Sequence, residues 1–367
     1  HIDPINGRPW PIALIIARRK KSHTSAQDIP LPYLNLSYAG QTRKTLYHVC
    51  PPSYHMGITH EVALMASTQD ATILTSFQYV SDIHLEYYRP KPQTWPSIPR
   101  LCPTLILAGD IGNAHHTHYR DFVSSCSTSF DHVLVVAGNH EFYQPSTPVL
   151  TAAEVLETIQ SICDALPNVT FLNKKSVVID NVRFLGATMW TQIRPEDKQT
   201  VASSMNDYYQ IFIERPDPNS KPRSRSNKKK SGWRTATTEI TQSWHRDQRD
   251  WLAHELTDPS DGLALPTVVV THHAPSFRHL ESIHSAEEGF QSAYATDLTK
   301  LMRNPPVVAW VSGHTHSITE MLLGEGRVLC VSNCSGYPKE RVKGFDASKK
   351  VLIKKDENSG IVVAEQG

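Results

Sequence analysis

No apolar run in this 367-residue chain approaches the ~20 residues that a bilayer-spanning helix needs. Ile12–Ala17, near the start, is far too short, so no membrane partner is expected. Neither sign of charge is in excess: 37 Lys and Arg stand against 36 Asp and Glu, which removes any global pull toward nucleic acid or an anionic surface. There is no CxxC pair. The six cysteines (50, 102, 126, 163, 330 and 334) are scattered and read as reduced, buried thiols rather than a disulfide framework. The basic run Arg18–Lys21 follows the short apolar stretch instead of preceding it, the wrong order for a secretory signal. A cytoplasmic protein is therefore expected. Internal repeats are also lacking. What is present in excess is histidine, with 19 residues, a residue suited to metal binding and acid–base work.

The chain divides by pattern. Residues 1–72 are rich in proline and show no sustained period, so a poorly ordered N-terminal extension is expected there. Residues 73–345 read as one domain, followed by a C-terminal tail at 346–367. Within the domain, 216–235 read as an inserted loop. Its Lys221–Arg234 stretch holds seven basic residues and no acid, a solvated loop first, with a nuclear-import patch or a nucleic-acid contact as the functional alternatives. Five short β-branched runs predict buried strands: Thr75–Val80, Thr104–Ala108, Val133–Ala137, Thr267–Thr271 and Val307–Val311. Helical spacing predicts helices over Pro148–Leu166, with a capping box at Thr151 and Glu154, and over 236–256. Val177–Leu185 and Met321–Val331 read as hairpins.

Each strand run stops abruptly at polar residues, and open α/β sheets bind ligands at the carboxyl ends of their strands. The first run ends in Asp82-Ile-His84, whose spacing of two puts both groups on one side of an extended segment. The second ends in Gly109-Asp110, the third in Gly138-Asn139-His140-Glu141, the fourth in His272-His273, and the last in Gly313-His314-Thr-His316. Carboxylate, amide and imidazole together suit borderline or hard cations such as Mn, Fe or Zn, whereas soft metals favour thiolates. The ligands are too many for one such ion and enough for two sharing a carboxylate.

These motifs, with Asn113 following Gly109-Asp110, resemble those of the calcineurin-like metallophosphoesterase superfamily over about residues 75–340. The resemblance implies an α/β (α+β) fold, a four-layer αββα sandwich of two mixed sheets. It implies that Asp82, His84, Asp110 and His316 hold one of two transition-metal ions. Asp110 would bridge, and Asn139, His272 and His314 would complete the second site, with His273 beside it. It further implies a phosphoester substrate attacked by a hydroxide formed at the dinuclear centre, with His140 contacting a phosphoryl oxygen or protonating the leaving oxygen. In the family an acid of the second motif often orients that ring. Here Asn113 occupies the position, so an amide is expected to orient His140. The second motif lacks the Arg of protein Ser/Thr phosphatases, which disfavours a phosphoprotein substrate. A nuclease using the basic loop and a non-catalytic scaffold for protein partners are the competing readings. Gly186–Trp190, Met205–Tyr208 and Asn333–Tyr337 look like one branch of the superfamily, with Trp190 and Tyr208 read as packing residues or a pocket wall.

Overall fold

The computed structural model describes residues 71–88, 95–144, 149–215, 232–259, 262, 264–280, 289–303 and 306–367. The extension expected at 1–72 lies outside them except for its last two residues, and the basic insertion lies outside them except for 232–235. In chain order the strands are β1 (Ala71–Val80), β2 (Thr104–Ala108), β3 (His132–Val136), β4 (Val169–Phe171), β5 (Lys175–Ile179), β6 (Val182–Ala187) and β7 (Phe212–Glu214). They continue with β8 (Arg234–Thr235), β9 (Thr267–Thr271), β10 (Val307–Ser312), β11 (Ile318–Leu323), β12 (Val328–Asn333), β13 (Lys350–Asp356) and β14 (Val362–Gln366). The α-helices are α1 (Thr117–Ser129), α2 (Ala152–Asp164), α3 (Lys198–Ser204), α4 (Asp207–Gln210), α5 (Thr238–Thr257) and α6 (Gln291–Tyr294).

Two six-stranded sheets result, ordered β14-β13-β1-β2-β3-β4 and β11-β12-β10-β9-β6-β5, beside the small β7-β8 pair. Side-chain alternation along the strands builds the layers. Leu105 and Leu107 of β2, with Val133 and Val135 of β3, pack on Tyr119, Phe122 and Val123 of α1 and on Val155 and Ile159 of α2. The intervening Ile106, Ala108, Leu134 and Val136 face the other sheet and meet Phe184, Val268, Val270 and Val311. On that sheet's far face, Val269 and Trp310 pack against Leu252 and Leu256 of α5. The order is helix, sheet, sheet, helix. Because both faces of the central strands are covered, they read as continuous apolar runs in the sequence.

Strand direction then positions the site. β1, β2, β3 and β4 run parallel, as do β6, β9, β10 and β12, while β5, β11, β13 and β14 are antiparallel to their neighbours. The carboxyl ends of the parallel strands in each sheet therefore lie along one edge. The two edges are stitched together there: Ser81 N–H donates to the Asn333 carbonyl at 3.1 Å, and Ser335 N–H donates to the Ser81 carbonyl at 3.0 Å.

Both expected hairpins form. Asp180 and Asn181 turn β5 into β6 at φ 51° and 59°, the left-handed pair that suits a tight hairpin. The capping box of α2 is present, with Thr151 accepting from Glu154 N–H and Glu154 accepting from Thr151 N–H. One reading is corrected. Residues 346–367, taken as a tail, supply β13 and β14, and β13 pairs antiparallel with β1 from Ala71 to Gln78. Val351 and Ile353 are buried between the sheets, since without β13 the outer side of β1 would be an open edge.

Candidate metal centre and active site

Every residue named at a strand end comes to this stitched edge, and the backbone is bent to bring it there. Asp82, His84, Asp110, His314 and His316 adopt φ between 47° and 66°, a left-handed conformation that costs a non-glycine residue roughly 1–2 kcal/mol. Strain of this kind persists where the surroundings over-determine it, and it gathers at functional sites. The motif glycines leave room for the crossing chains. A Cβ on Gly138 would sit 2.6 Å from Asp110 N and 2.8 Å from His272 Cε1. A Cβ on Gly109, itself at φ 87°, would sit 2.7 Å from both Gly138 N and His272 Cγ.

The side chains then converge. His84 Nε2 lies 3.0 Å from His316 Nε2, and His316 Nε2 lies 3.4 Å from Asp82 Oδ1. His272 Nε2 faces Asn139 Oδ1 at 3.1 Å, His314 Nδ1 at 3.2 Å and Asp110 Oδ2 at 3.4 Å. Asp110 Oδ2 is also 3.9 Å from His84 Nε2, which places this one carboxylate oxygen between the two groups. Asp82, His84 and His316 form one set with mutually close donor atoms, and Asp110, His272 and His314 form another.

Outer contacts fix which ring nitrogen faces inward. His272 Nδ1 lies 2.9 Å from the Ala108 carbonyl, His84 Nδ1 lies 3.2 Å from Glu86 Oε1, and His316 Nδ1 lies 2.6 Å from Glu340 Oε2. Each partner is an acceptor, so Nδ1 carries the proton and the Nε2 lone pair points to the centre, the arrangement found around ligating histidines. Tyr143 Oη accepts from Asn139 Nδ2 at 2.9 Å, which turns the amide oxygen inward. His140 N–H donates to Asp110 Oδ1 at 2.8 Å, leaving Oδ2 for the centre.

A buried cluster so rich in lone pairs attracts positive charge. Burial opposes a proton on His272, but Asp110 and Asp82 outweigh it and raise its pKa to about 9. Burial is likewise overcome at His316 by Asp82 and Glu340, which raise it to about 10. Asp110, despite its burial, is held well below the ordinary carboxylate range by His272 and His140. Buried oxygen and imidazole atoms in this arrangement fit borderline divalent cations, for which those protons stand in.

Histidine 273 turns away. Its Nδ1 lies 3.3 Å from the Thr188 carbonyl, its ring packs 5.3 Å from Trp190, and burial, then the charge of His272, lowers its pKa to about 3. Trp190 is a packing residue, set against Phe142, Trp244 and His273. Tyr208 joins a small cluster with Val201 and Met205.

The expected job of Asn113 is corrected. Asn113 Nδ2 donates to the main-chain carbonyl of His140 at 2.6 Å, so its amide steadies the backbone. The ring is oriented by Glu86, whose Oε1 lies 2.8 Å from His140 Nδ1. His140 Nε2 in turn lies 3.2 Å from Tyr337 Oη. Glu340, Tyr143 and Tyr337 were not legible as site residues. For Glu86 a signal existed, since Asp82, His84 and Glu86 recur every second residue. The others reach the site only through tertiary folding.

A family model described as calcineurin-like phosphoesterase matches residues 77–317. An uncharacterized protein, L509, of Acanthamoeba polyphaga mimivirus is 27% identical over 278 residues, covering 72% of this chain and 92% of its own. Among solved structures, the phosphopantetheinyl hydrolase PptH of Mycobacterium tuberculosis is similar in fold, with a TM-score of 0.55 and 18% identity over 74% of this chain and 94% of that one. A dimetal phosphatase from Danio rerio covers 80% of this chain and 99% of its own at a TM-score of 0.42 and 14% identity. The chain belongs to the calcineurin-like phosphoesterase family, metal-dependent hydrolases of ester bonds.

Proposed function

We propose that the chain hydrolyses a phosphate ester with two cations held side by side. Asp82, His84, Asp110 and His316 would hold one, and Asn139, His272 and His314 would hold the other with Asp110 shared. The observation that carries this reading is the inward-facing set of lone pairs, with His84 and His316 Nε2 3.0 Å apart and His272 Nε2 3.1 Å from Asn139 Oδ1. Such a set suits Mn, Fe or Zn. Cations bound there would supply Lewis acidity toward a phosphoryl group and toward water.

The chain's own residues supply orientation and a proton. Glu86 accepts from His140 Nδ1 and fixes the ring with Nε2 toward the cavity. Burial opposes a charge on His140, but Asp110 and Glu86 outweigh it and raise its pKa. The protonated ring therefore presents an Nε2–H that donates to a phosphoryl oxygen or to the departing ester oxygen. Tyr143 holds the Asn139 amide with its oxygen inward, and Glu340 does the same for the His316 ring.

The test is Asp110→Asn, which removes the shared charge while keeping the side chain's size. With Mn²⁺ supplied, turnover of an aryl phosphate is expected to fall by about 10²–10³-fold or more, and elemental analysis should find less metal per chain. Equal turnover and equal metal content in wild type and variant would contradict the reading.

A further inference from the structure

A cavity of about 320 Å³ opens onto this cluster, near the small end of the ~300–1,000 Å³ usual for ligand sites. Two tyrosines flank its floor. The Tyr337 ring lies 4.4 Å from His84 and 4.7 Å from His316, and the Tyr294 ring lies 5.1 Å from His314. Beyond them the wall is Met205 and Leu280, with Ser204 and Asn206 adding only neutral polar groups. Among the described residues that line the cavity, none is Lys or Arg, and the acid Glu340 stands at the wall, 42% exposed. Sites that hold several phosphates, or a nucleic-acid backbone, neutralise each with a basic side chain or a row of N–H groups. This wall offers aromatic and apolar surface in place of those cations, and a carboxylate whose Oε2 is held 2.6 Å from His316 Nδ1.

We propose that the substrate is a small ester with a single phosphoryl group whose organic arm is uncharged. A flat or apolar arm would lie between Tyr337 and Tyr294 and against Met205 and Leu280. The phosphoryl group would then sit over the His and Asp cluster, and a second anionic group on the arm would face Glu340, which the His316 ring already partners, with no Lys or Arg among the described lining residues to receive it. This inference rests on the phosphoesterase reading above and narrows it. It sets polyphosphates and nucleic-acid strands aside.

The experiment uses 2-phenylethyl phosphate and its para-acetamido, para-carboxylate and para-phosphonate derivatives, in which two methylenes insulate the ester oxygen from the substituent. Their kcat/KM values are measured with the Mn²⁺-loaded full chain. The matching non-hydrolysable phosphonates are titrated calorimetrically into the same protein. The neutral arms are expected to exceed the para-phosphonate arm at least about tenfold in both kcat/KM and affinity, as like-charge juxtaposition demands. Ser204→Lys places a cation on the exposed rim, and Met205→Lys places one deeper. Either should narrow that gap, and Ser204→Lys keeps the test open if the deeper substitution does not fold. Equal or better use of the doubly charged arm, or tighter binding of an oligonucleotide than of the neutral-arm phosphonate, would overturn the proposal. If no ester is turned over while the neutral phosphonates still bind best, the pocket preference stands and the hydrolase reading falls.

Discussion

Glu86 does the work that an acid of the second motif does elsewhere in the family. Its Oε1 reaches both His84 Nδ1 at 3.2 Å and His140 Nδ1 at 2.8 Å, so one carboxylate orients both the ring of a proposed metal ligand and the proposed proton donor. Burial would raise its pKa, yet the two histidines hold it at about 2, and the group stays ionised at neutral pH. Replacing it with Gln keeps the size and removes the charge. At saturating Mn²⁺, Glu86→Gln should lower kcat by about 10–100-fold on an alkyl phosphate, whose leaving oxygen needs a proton. On 4-nitrophenyl phosphate, whose leaving group departs without one, kcat should change little. An equal fall on both substrates would mean that Glu86 serves the fold rather than the proton. The residue was readable in part. The Asp-x-His-x-Glu spacing is visible in the sequence, but which ring Glu86 touches depends on the left-handed turns at Asp82 and His84, and no local pattern announces those.

The elements that carry the proposed ligands were legible because burial on both faces leaves a strong signal. β2, β3, β9 and β10 each follow a β-branched or apolar run that ends in Gly, Asp, Asn or His. β13 and β14 were missed for the opposite reason: lysines at 349, 350, 354 and 355 and the polar 356–360 turn mask an alternation carried by Val351 and Ile353 on β13 and by the partly buried Val362 and Ala364 on β14. Burying such side chains contributes roughly 1.5–3 kcal/mol each, and β13 also closes the edge of β1, the strand that delivers Asp82 and His84. Deleting residues 348–367 should therefore cost several kcal/mol and abolish a sharp cooperative melt, as followed by circular dichroism. A detachable tail would leave the melting temperature where it was, and that outcome would contradict the place of β13 in the core.

Over the whole molecule, two sheets deliver the site jointly. β1, β2 and β3 bring Asp82, His84, Asp110 and Asn139 from one side, and β9 and β10 bring His272, His314 and His316 from the other. The order of motifs along the chain could be read from the sequence, whereas the seam that brings the two edges together, at Ser81 with Asn333 and Ser335, could not. Near-neutral charge leaves recognition to the local cavity rather than to a long-range field. Among the described residues, no helix is long and apolar enough to cross a membrane. The deciding measurement is anomalous diffraction from crystals of the full chain grown with Mn²⁺. Two peaks roughly 3.5–4 Å apart should appear, one among Asp82, His84 and His316 and one among Asn139, His272 and His314, with Asp110 touching both. Peaks elsewhere, or none at these seven side chains, would contradict a two-cation centre.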